Sequence, residues 1–306
     1  MKIAIIGSGA LGLYYGALLQ RGGHEVHFLL RRDYDAIIRG GLTVHSINGD
    51  FYLPAISGHK TSDTIGPVEL VIVGLKTFAN GFMYDLIKPL IATDTKILTL
   101  QNGLGNEELL AELFGPERIL GGVAFLCSNR GESGHVHHLG AGKVTIGEYS
   151  KNDNKRLELI ASCFSSAGVE CETTGDLKKA RWEKLVWNIP FNGLCALLQQ
   201  PVDKLLEVPG CRKLVRDLMI EVITAANAQN LTQAIPEEYA DDMLEVTAGM
   251  GEYRPSMQID REEGRKLEIQ AIFRVPLEYG LQQGINMPRI EMLAVLLEQG
   301  GCAVQS

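Results

Sequence analysis

No stretch of this 306-residue chain approaches the roughly 18 to 20 uninterrupted apolar residues that a membrane-spanning helix requires, so an integral membrane role is not expected. The apolar opening from Met1 to Leu19 imitates a secretion signal, but Gly7, Ser8, Gly9 and Gly12 interrupt it in a pattern with a better explanation below. Positive charge is in deficit: 29 Lys and Arg face 37 Asp and Glu, a formal net charge of -8. That balance opposes nucleic acid as a partner, although one local basic pocket can still take a phosphate. The six cysteines (Cys127, Cys163, Cys171, Cys195, Cys211 and Cys302) form no C-x-x-C pair and no zinc-like spacing. They are read as reduced, mostly structural thiols of a soluble, cytoplasmic protein. Internal repeats and low-complexity segments are also missing. What remains is globular: 45% of residues are hydrophobic and 22% charged, and the length is about twice that of a typical single domain.

Up to about Cys171, short apolar runs alternate with amphipathic stretches, the pattern of parallel strands joined by crossover helices. Lys2 to Ile6, Glu25 to Leu30, Leu70 to Val73 and Lys96 to Leu100 read as buried strands; Ala10 to Gln20 and Asn80 to Pro89 read as helices. Thr43 to Leu53, with Asn48-Gly49 at its middle, reads as an edge hairpin. His135 to Leu139 and Lys143 to Gly147 read as a second β pair turning at Gly140-Ala141-Gly142. Beyond about Thr173 helical periodicity dominates, punctuated at Val208-Pro209-Gly210 and Ile235-Pro236. The expected architecture is α/β, with a Rossmann-type dinucleotide-binding domain over residues 1–172 and an all-helical domain over residues 173–306.

The first strand runs straight into Gly7-Ser8-Gly9-Ala10-Leu11-Gly12, and a helix follows at once. In this G-x-G-x-x-G setting the first glycine permits a tight turn, the second lets backbone approach a pyrophosphate, and the third lets helix pack on strand. The helix N-terminus then offers unpaired N–H groups and positive dipole to the phosphates. The end of the second strand selects the cofactor. An Asp or Glu there would bond the ribose hydroxyls of NAD, whereas Leu29-Leu30 leads into Arg31-Arg32, and a guanidinium suits a 2′-phosphate. NADPH is therefore the expected cofactor; the alternative is a solvated basic turn in which Asp33 pairs with either arginine. Lys76, after the Leu70 strand, and Asn102, after the Lys96 strand, stand where ligands of open α/β sheets bind.

In the helical half, Lys184, Asn188 and Asn192 recur every four residues and share one edge of a helix otherwise rich in Trp182, Leu185, Val186, Trp187 and Phe191. Polar groups in so apolar a sequence need partners, which either a polar substrate or an adjacent loop can supply. Pro190 is expected to weaken the helical ladder at Val186. Glu268, among Leu267, Ile269, Ala271 and Ile272, either faces inward or is one charge on a solvated helix. Leu293 to Leu297 fits core or a subunit contact. His135, His137 and His138 are expected to be separated by the alternating faces of a strand, and no metal is expected.

Taken in order over nearly the full length, these features resemble the ketopantoate reductase (2-dehydropantoate 2-reductase) family: the Gly7 to Gly12 loop, Arg31, Leu75-Lys76, Gln101-Asn102-Gly103, Lys184-x-x-x-Asn188-x-x-x-Asn192, and the separation of Ser256-Met257 from Glu268. The resemblance implies NADPH-dependent reduction of the C2 carbonyl of 2-dehydropantoate to (R)-pantoate, on the pantothenate and coenzyme A route. It implies Lys184 as the general acid at the ketone oxygen, and Glu268 as a second catalytic residue that contacts the substrate hydroxyl and counts among the cofactor contacts. It places Asn188 and Asn192 on substrate hydroxyls and Ser256 on the carboxylate. Asn102 falls near the nicotinamide and substrate, Lys76 beside the cofactor, and Gly7, Ser8, Gly9, Ala10, Leu11, Gly12 and Arg31 around the dinucleotide. The sequence departs from the family where Glu268 is followed by Ile269-Gln270-Ala271-Ile272-Phe273-Arg274, and where Tyr253-Arg254-Pro255 precedes the serine. These changes remodel the expected substrate wall and keep a reductase of another 2-keto acid open. A non-catalytic NADPH-binding sensor is the third reading, opposed by the retention of both Lys184 and Glu268. A monomer or homodimer is expected.

Overall fold

Strand β1 (Lys2–Ile6) is apolar after its first residue and therefore suits a position with neighbours on both faces. In the computed structural model, which describes residues 1–150 and 154–300, it lies inside a sheet and splits its side chains by alternation. Ile3 and Ile5 enter one core with Leu13, Phe28 and Phe164, and Ala4 and Ile6 enter another with Val71, Val73 and Ile97.

Helix α1 (Ala10–Arg21) leads to β2 (Glu25–Leu29), α2 (Tyr34–Gly40), β3 (Leu42–Ser46), β4 (Phe51–Leu53), β5 (Ser57–His59) and β6 (Leu70–Val73). Then come α3 (Met83–Ile87), β7 (Lys96–Thr99), α4 (Asn106–Phe114), β8 (Ile119–Arg130), β9 (His135–Glu148), α5 (Asn154–Ser166) and β10 (Cys171–Thr174). The sheet order is β4-β3-β9-β8-β7-β6-β1-β2-β5, with β10 added to β9. From β5 across to β8 every pairing is parallel; β9 then runs antiparallel to β8. The β3–β4 hairpin closes that end of the sheet. This is a Rossmann-like α/β unit with a mixed extension.

Two local expectations are corrected. The helix anticipated from Asn80 to Pro89 is a 3₁₀ turn (Thr77–Phe82), the short α3, and a second 3₁₀ turn (Lys88–Leu90). Gly81 and Pro89 stand in those flanking turns, where an α-helical ladder is weakest. The glycines at 140 and 142 do not reverse the chain. β9 is one strand paired along β8, with register slips opposite Phe125/Leu126 and Cys127/Ser128, and with Ala141 and Gly142 at φ 56° and 124°. Here glycine lets a long strand bulge, and Ile119–Arg130, whose Gly121-Gly122 hides its strand character, is the partner.

The second unit is helical: α6 (Leu177–Leu198), α7 (Val202–Glu207), α8 (Pro209–Asn227), α9 (Glu238–Ala248), α10 (Ser256–Glu262), a π-helical turn (Gln270–Arg274), α11 (Val275–Gln282) and α12 (Pro288–Gly300). Trp182, Val186, Phe191, Met219 and Phe273 centre its core. In α12, Leu293 and Leu297 belong to that core, while Met292, Val295 and Leu296 are exposed. The first compact unit comprises Met1–Gln101 and Asn106–Leu177; the second comprises Asn102–Gly105 with the chain from Lys178 onward. A border at 172/173 would cut β10, which pairs with β9 and stays with the sheet. No described helix is long and apolar enough to cross a membrane. Cys127, Cys163, Cys171, Cys195 and Cys211 are free thiols; Cys302 lies outside the described residues.

Candidate active site

In the sheet unit, the glycine loop shows two kinds of glycine. Gly7 has φ +106°, and a Cβ on it would stand 2.3 Å from the Leu75 backbone nitrogen. A Cβ on Gly12 would stand 2.2 Å from the Gly7 carbonyl oxygen. Both positions are therefore fixed by the protein's own backbone. Gly9 is different: a Cβ there would meet nothing within 4 Å, so packing inside the protein does not demand glycine at this position. It borders open space at the start of α1, where no side chain caps the helix and no acid occupies the first turn. Ala10 and Leu11 open that helix, half-buried. Uncapped N–H groups beside an unobstructed glycine fit a dinucleotide pyrophosphate. Ser8 Oγ donates to the Leu29 carbonyl at 2.8 Å, tying the loop to the end of β2.

Arg31, just beyond β2, is exposed. The acid anticipated as its competitor turns elsewhere. Asp33 is 2% exposed, pairs with Arg130, accepts a 3.2 Å bond from Ser133 Oγ, and reaches Arg32 at 3.5 Å. Lys76 stands at the start of the 3₁₀ turn after β6. In the same region Gln101, a residue with no signal of its own beyond the turn it opens, donates from Nε2 to the Leu75 carbonyl at 3.0 Å and to Asn80 Oδ1 at 2.9 Å, bracing two strand ends.

In the helical unit, Lys184 Nζ donates to Asn102 Oδ1 at 2.7 Å. The turn carrying Asn102 is seated by Gly103, which has φ +84° and lies so close to the Ala271 backbone that a Cβ would be 2.3 Å from its carbonyl oxygen. Leu104 N donates to that same oxygen at 3.0 Å. Backbone contact with the π-helical turn thus brings Asn102 to a lysine 82 positions away. Glu268, two residues before that turn begins, is 3% exposed, which decides for the inward of its two readings. Lys184 is part-buried, and its pKa falls from the ordinary 10.5 to about 7. Burial is the main cause; Arg181, one helical turn earlier, pushes the same way, and Glu268 opposes both. Arg181, itself buried, is a second residue that the sequence reading passed over.

One and two turns after Lys184, the asparagines form a relay. Asn192 Oδ1 accepts from Met257 N at 3.0 Å and from Ser256 Oγ at 3.3 Å, and its Nδ2 donates to Asn188 Oδ1 at 3.3 Å. Asn188 Nδ2 is buried without an acceptor. A buried amide with an unused donor is costly unless something polar meets it. Helix α6 therefore presents, along one edge, an ammonium poised near neutral pH and an amide whose donor awaits an oxygen. Such a set can protonate an oxygen that gains negative charge and hold a hydroxylated organic acid beside it.

Known proteins resemble this chain over nearly its full length. Residues 3–151 match the family described as Ketopantoate reductase PanE/ApbA, and residues 176–300 match its C-terminal part. A 2-dehydropantoate 2-reductase from Nostoc sp. is 42% identical over 297 residues, covering 95% of this chain and 92% of the relative. The crystal structure of 2-dehydropantoate 2-reductase from Geobacter metallireducens is 66% identical, with a TM-score of 0.97, covering 98% of this chain and 99% of that one. A ternary structure of D-mandelate dehydrogenase with NADH and anilino(oxo)acetate has a TM-score of 0.89 over 98% of both chains, but at 22% identity it shares the fold alone.

Proposed function

The chain belongs to the ketopantoate reductase PanE/ApbA family, and we propose that it reduces the C2 ketone of 2-dehydropantoate to (R)-pantoate with NADPH, on the way to pantothenate and coenzyme A. The observation that carries the chemistry is Lys184, bonded to Asn102 and electrostatically coupled to Glu268, with a pKa of about 7.

NADPH, when bound, supplies the hydride. Gly7, Ser8, Gly9, Ala10, Leu11 and Gly12 hold its pyrophosphate on the uncapped start of α1, Arg31 takes the 2′-phosphate, and Lys76 lies alongside the cofactor. As a new C–H bond forms at C2, the ketone oxygen gains negative charge. Lys184 donates its proton to that oxygen and is left as a neutral amine. Its lowered pKa suits this, because a nearly matched acid gives up its proton readily near neutral pH. Asn102 holds the ammonium in place, and Glu268 both steadies the charge on Lys184 and accepts from the substrate hydroxyl; each also stands among the cofactor contacts.

Asn188 spends its unused Nδ2 on a substrate hydroxyl, and Asn192 keeps a second amide hydrogen for the same purpose while fixing Asn188. The 3.3 Å bond from Ser256 to Asn192 is long, so its hydroxyl turns to the substrate carboxylate at small cost. These roles define the helical unit as the substrate-binding part and the sheet unit as the NADPH-binding part.

The test is consumption of NADPH by purified protein supplied with 2-dehydropantoate beside a panel of branched and bulky 2-keto acids. Preferred turnover of 2-dehydropantoate supports the reading. Brisk turnover of another acid, with none of 2-dehydropantoate, transfers the substrate assignment to it. The run Ile269 to Arg274, which departs from the family's pattern after Glu268, is what keeps such a relative open.

A further inference from the structure

The edge strand β5 pairs in parallel with β2 so that His27 stands opposite Ser57 and Leu29 opposite His59. Residues two apart on a strand share a face, so His27, Ser57 and His59 are brought together from segments 30 residues apart in sequence. Their donor atoms form a small triangle: His27 Nδ1 to His59 Nε2 is 3.0 Å, Ser57 Oγ to His27 Nδ1 is 2.9 Å, and Ser57 Oγ to His59 Nε2 is 3.2 Å.

With both rings neutral, the protons do not suffice for this triangle. His27 Nε2 lies 2.9 Å from Glu25 Oε1, and Glu25, an exposed carboxylate at neutral pH, can only accept. The His27 proton therefore sits on Nε2. On the other ring, His59 Nδ1 lies 2.8 Å from Thr64 Oγ1, whose single proton is donated to the Thr61 carbonyl at 2.9 Å. Thr64 must accept, so the His59 proton sits on Nδ1. With both rings neutral, the network assigns both tautomers and leaves two imidazole lone pairs facing each other at 3.0 Å, with one hydroxyl proton between them, the form that offers both nitrogens to a cation.

Neutral imidazoles whose outer N–H groups are each held by an oxygen, one of them a carboxylate, are the arrangement that orients histidines around a metal. With metal–nitrogen distances of about 2.0 to 2.1 Å, two nitrogens 3.0 Å apart can share one ion at an angle of about 95°. Among the described residues no three His, Cys, Asp or Glu side chains converge as ligands; here the third donor is a hydroxyl and the carboxylate stands one bond behind. We propose that His27 Nδ1, His59 Nε2 and Ser57 Oγ form a binding site for one divalent first-row transition cation of the zinc type, with Glu25 and Thr64 orienting the two rings. The side chain of His27 is 13% exposed and that of Glu25 65%, so the ion enters from solvent. Nitrogen-rich donors select zinc, nickel or copper over magnesium or calcium. The proposal is independent of the reductase chemistry, which needs no metal.

The test is titration of the metal-free protein with Zn²⁺ by calorimetry, with imidazole ¹⁵N shifts followed by NMR. The expected result is one equivalent bound, with His27 Nδ1 and His59 Nε2 moving together. Affinity should fall at least about tenfold in His59→Gln and about 10- to 100-fold in Glu25→Gln, the usual cost of losing an orienting partner. His135→Ala serves as the control, because His45 Nε2 and His135 Nδ1, 3.1 Å apart on the far side of the sheet order, are the competing pair. Binding that His135→Ala abolishes and His59→Gln leaves intact would overturn the assignment. So would wild-type spectra showing one proton shared between His27 and His59, with no response to zinc.

Discussion

The glycine loop and the polar edge of α6 are built by opposite means. In the loop, every contact that matters is made by backbone within a few residues or by the adjoining strand: Gly7 against Leu75, Gly12 against Gly7, Ser8 against Leu29. In the helical unit, the groups are assembled by side chains from far apart, Lys184 with Asn102 and Asn192 with Ser256 and Met257. A cofactor common to many enzymes can be held by local backbone geometry, whereas a substrate is distinguished by side chains whose bonds cross the sequence. The prediction is that damage to the loop acts on nucleotide affinity or on stability, and damage to the edge of α6 acts on turnover.

The largest effect is expected at Lys184. Lys184→Ala should lower kcat by roughly 10²- to 10⁴-fold, the usual share of a general acid, with NADPH affinity unchanged. Unaltered turnover would remove Lys184 from the chemistry. The loop itself separates into two kinds of failure. Gly12→Ala forces a clash with the Gly7 carbonyl and should lower Tm, whereas Gly9→Ala, with no protein atom to meet, should keep Tm and weaken NADPH by at least about tenfold. Equal loss of Tm in both would erase the distinction between the two glycines. Asn188→Ala removes the unpaired donor and should raise KM by about tenfold, the value of one hydrogen bond, with a smaller change in kcat. An effect of similar size is expected at Arg31, where Arg31→Ala should weaken NADPH by about tenfold and NADH little; parallel losses for both would undo the 2′-phosphate assignment.

The same contrast explains what the sequence disclosed. Glycine spacing and the apolar strand before it are local signals, so the loop and the parallel strands around it were legible. The one-edge spacing of Lys184, Asn188 and Asn192 was legible too, because helical periodicity fixes it. Their partners were not. Nothing local announces that Gly103 packs on the Ala271 backbone and delivers Asn102 to Lys184, or that Arg181 and burial lower the pKa of that lysine. The Asp33 competition was likewise undecidable until β8 supplied Arg130. Glycine misled at residues 140–142, where a bulged strand and a turn demand the same residue type. The histidines show the limit of alternation: His138 does point away, but His135 and His137 share a face, and β3 adds His45, whose ring stacks 5.3 and 4.7 Å from theirs.

Titration of Lys184 acts on stability and on catalysis with opposite signs. Burial disfavours its charged form, so the ammonium costs stability below about pH 7. That cost lifts as pH rises toward 10.5, the window in which the unfolded chain keeps a proton that the folded one releases. On the proposed mechanism catalysis runs the other way, since ketone reduction would use the protonated form. The direct measurement is therefore the pH dependence of kcat/KM for reduction of 2-dehydropantoate, which reports the free enzyme. We expect it to hold level in mild acid and to fall through an apparent pKa of about 7, with that limb absent from the residual activity of Lys184→Ala. A wild-type profile that stays flat from neutral into alkaline pH, or the same limb persisting without Lys184, would contradict the assignment of this lysine as the proton donor.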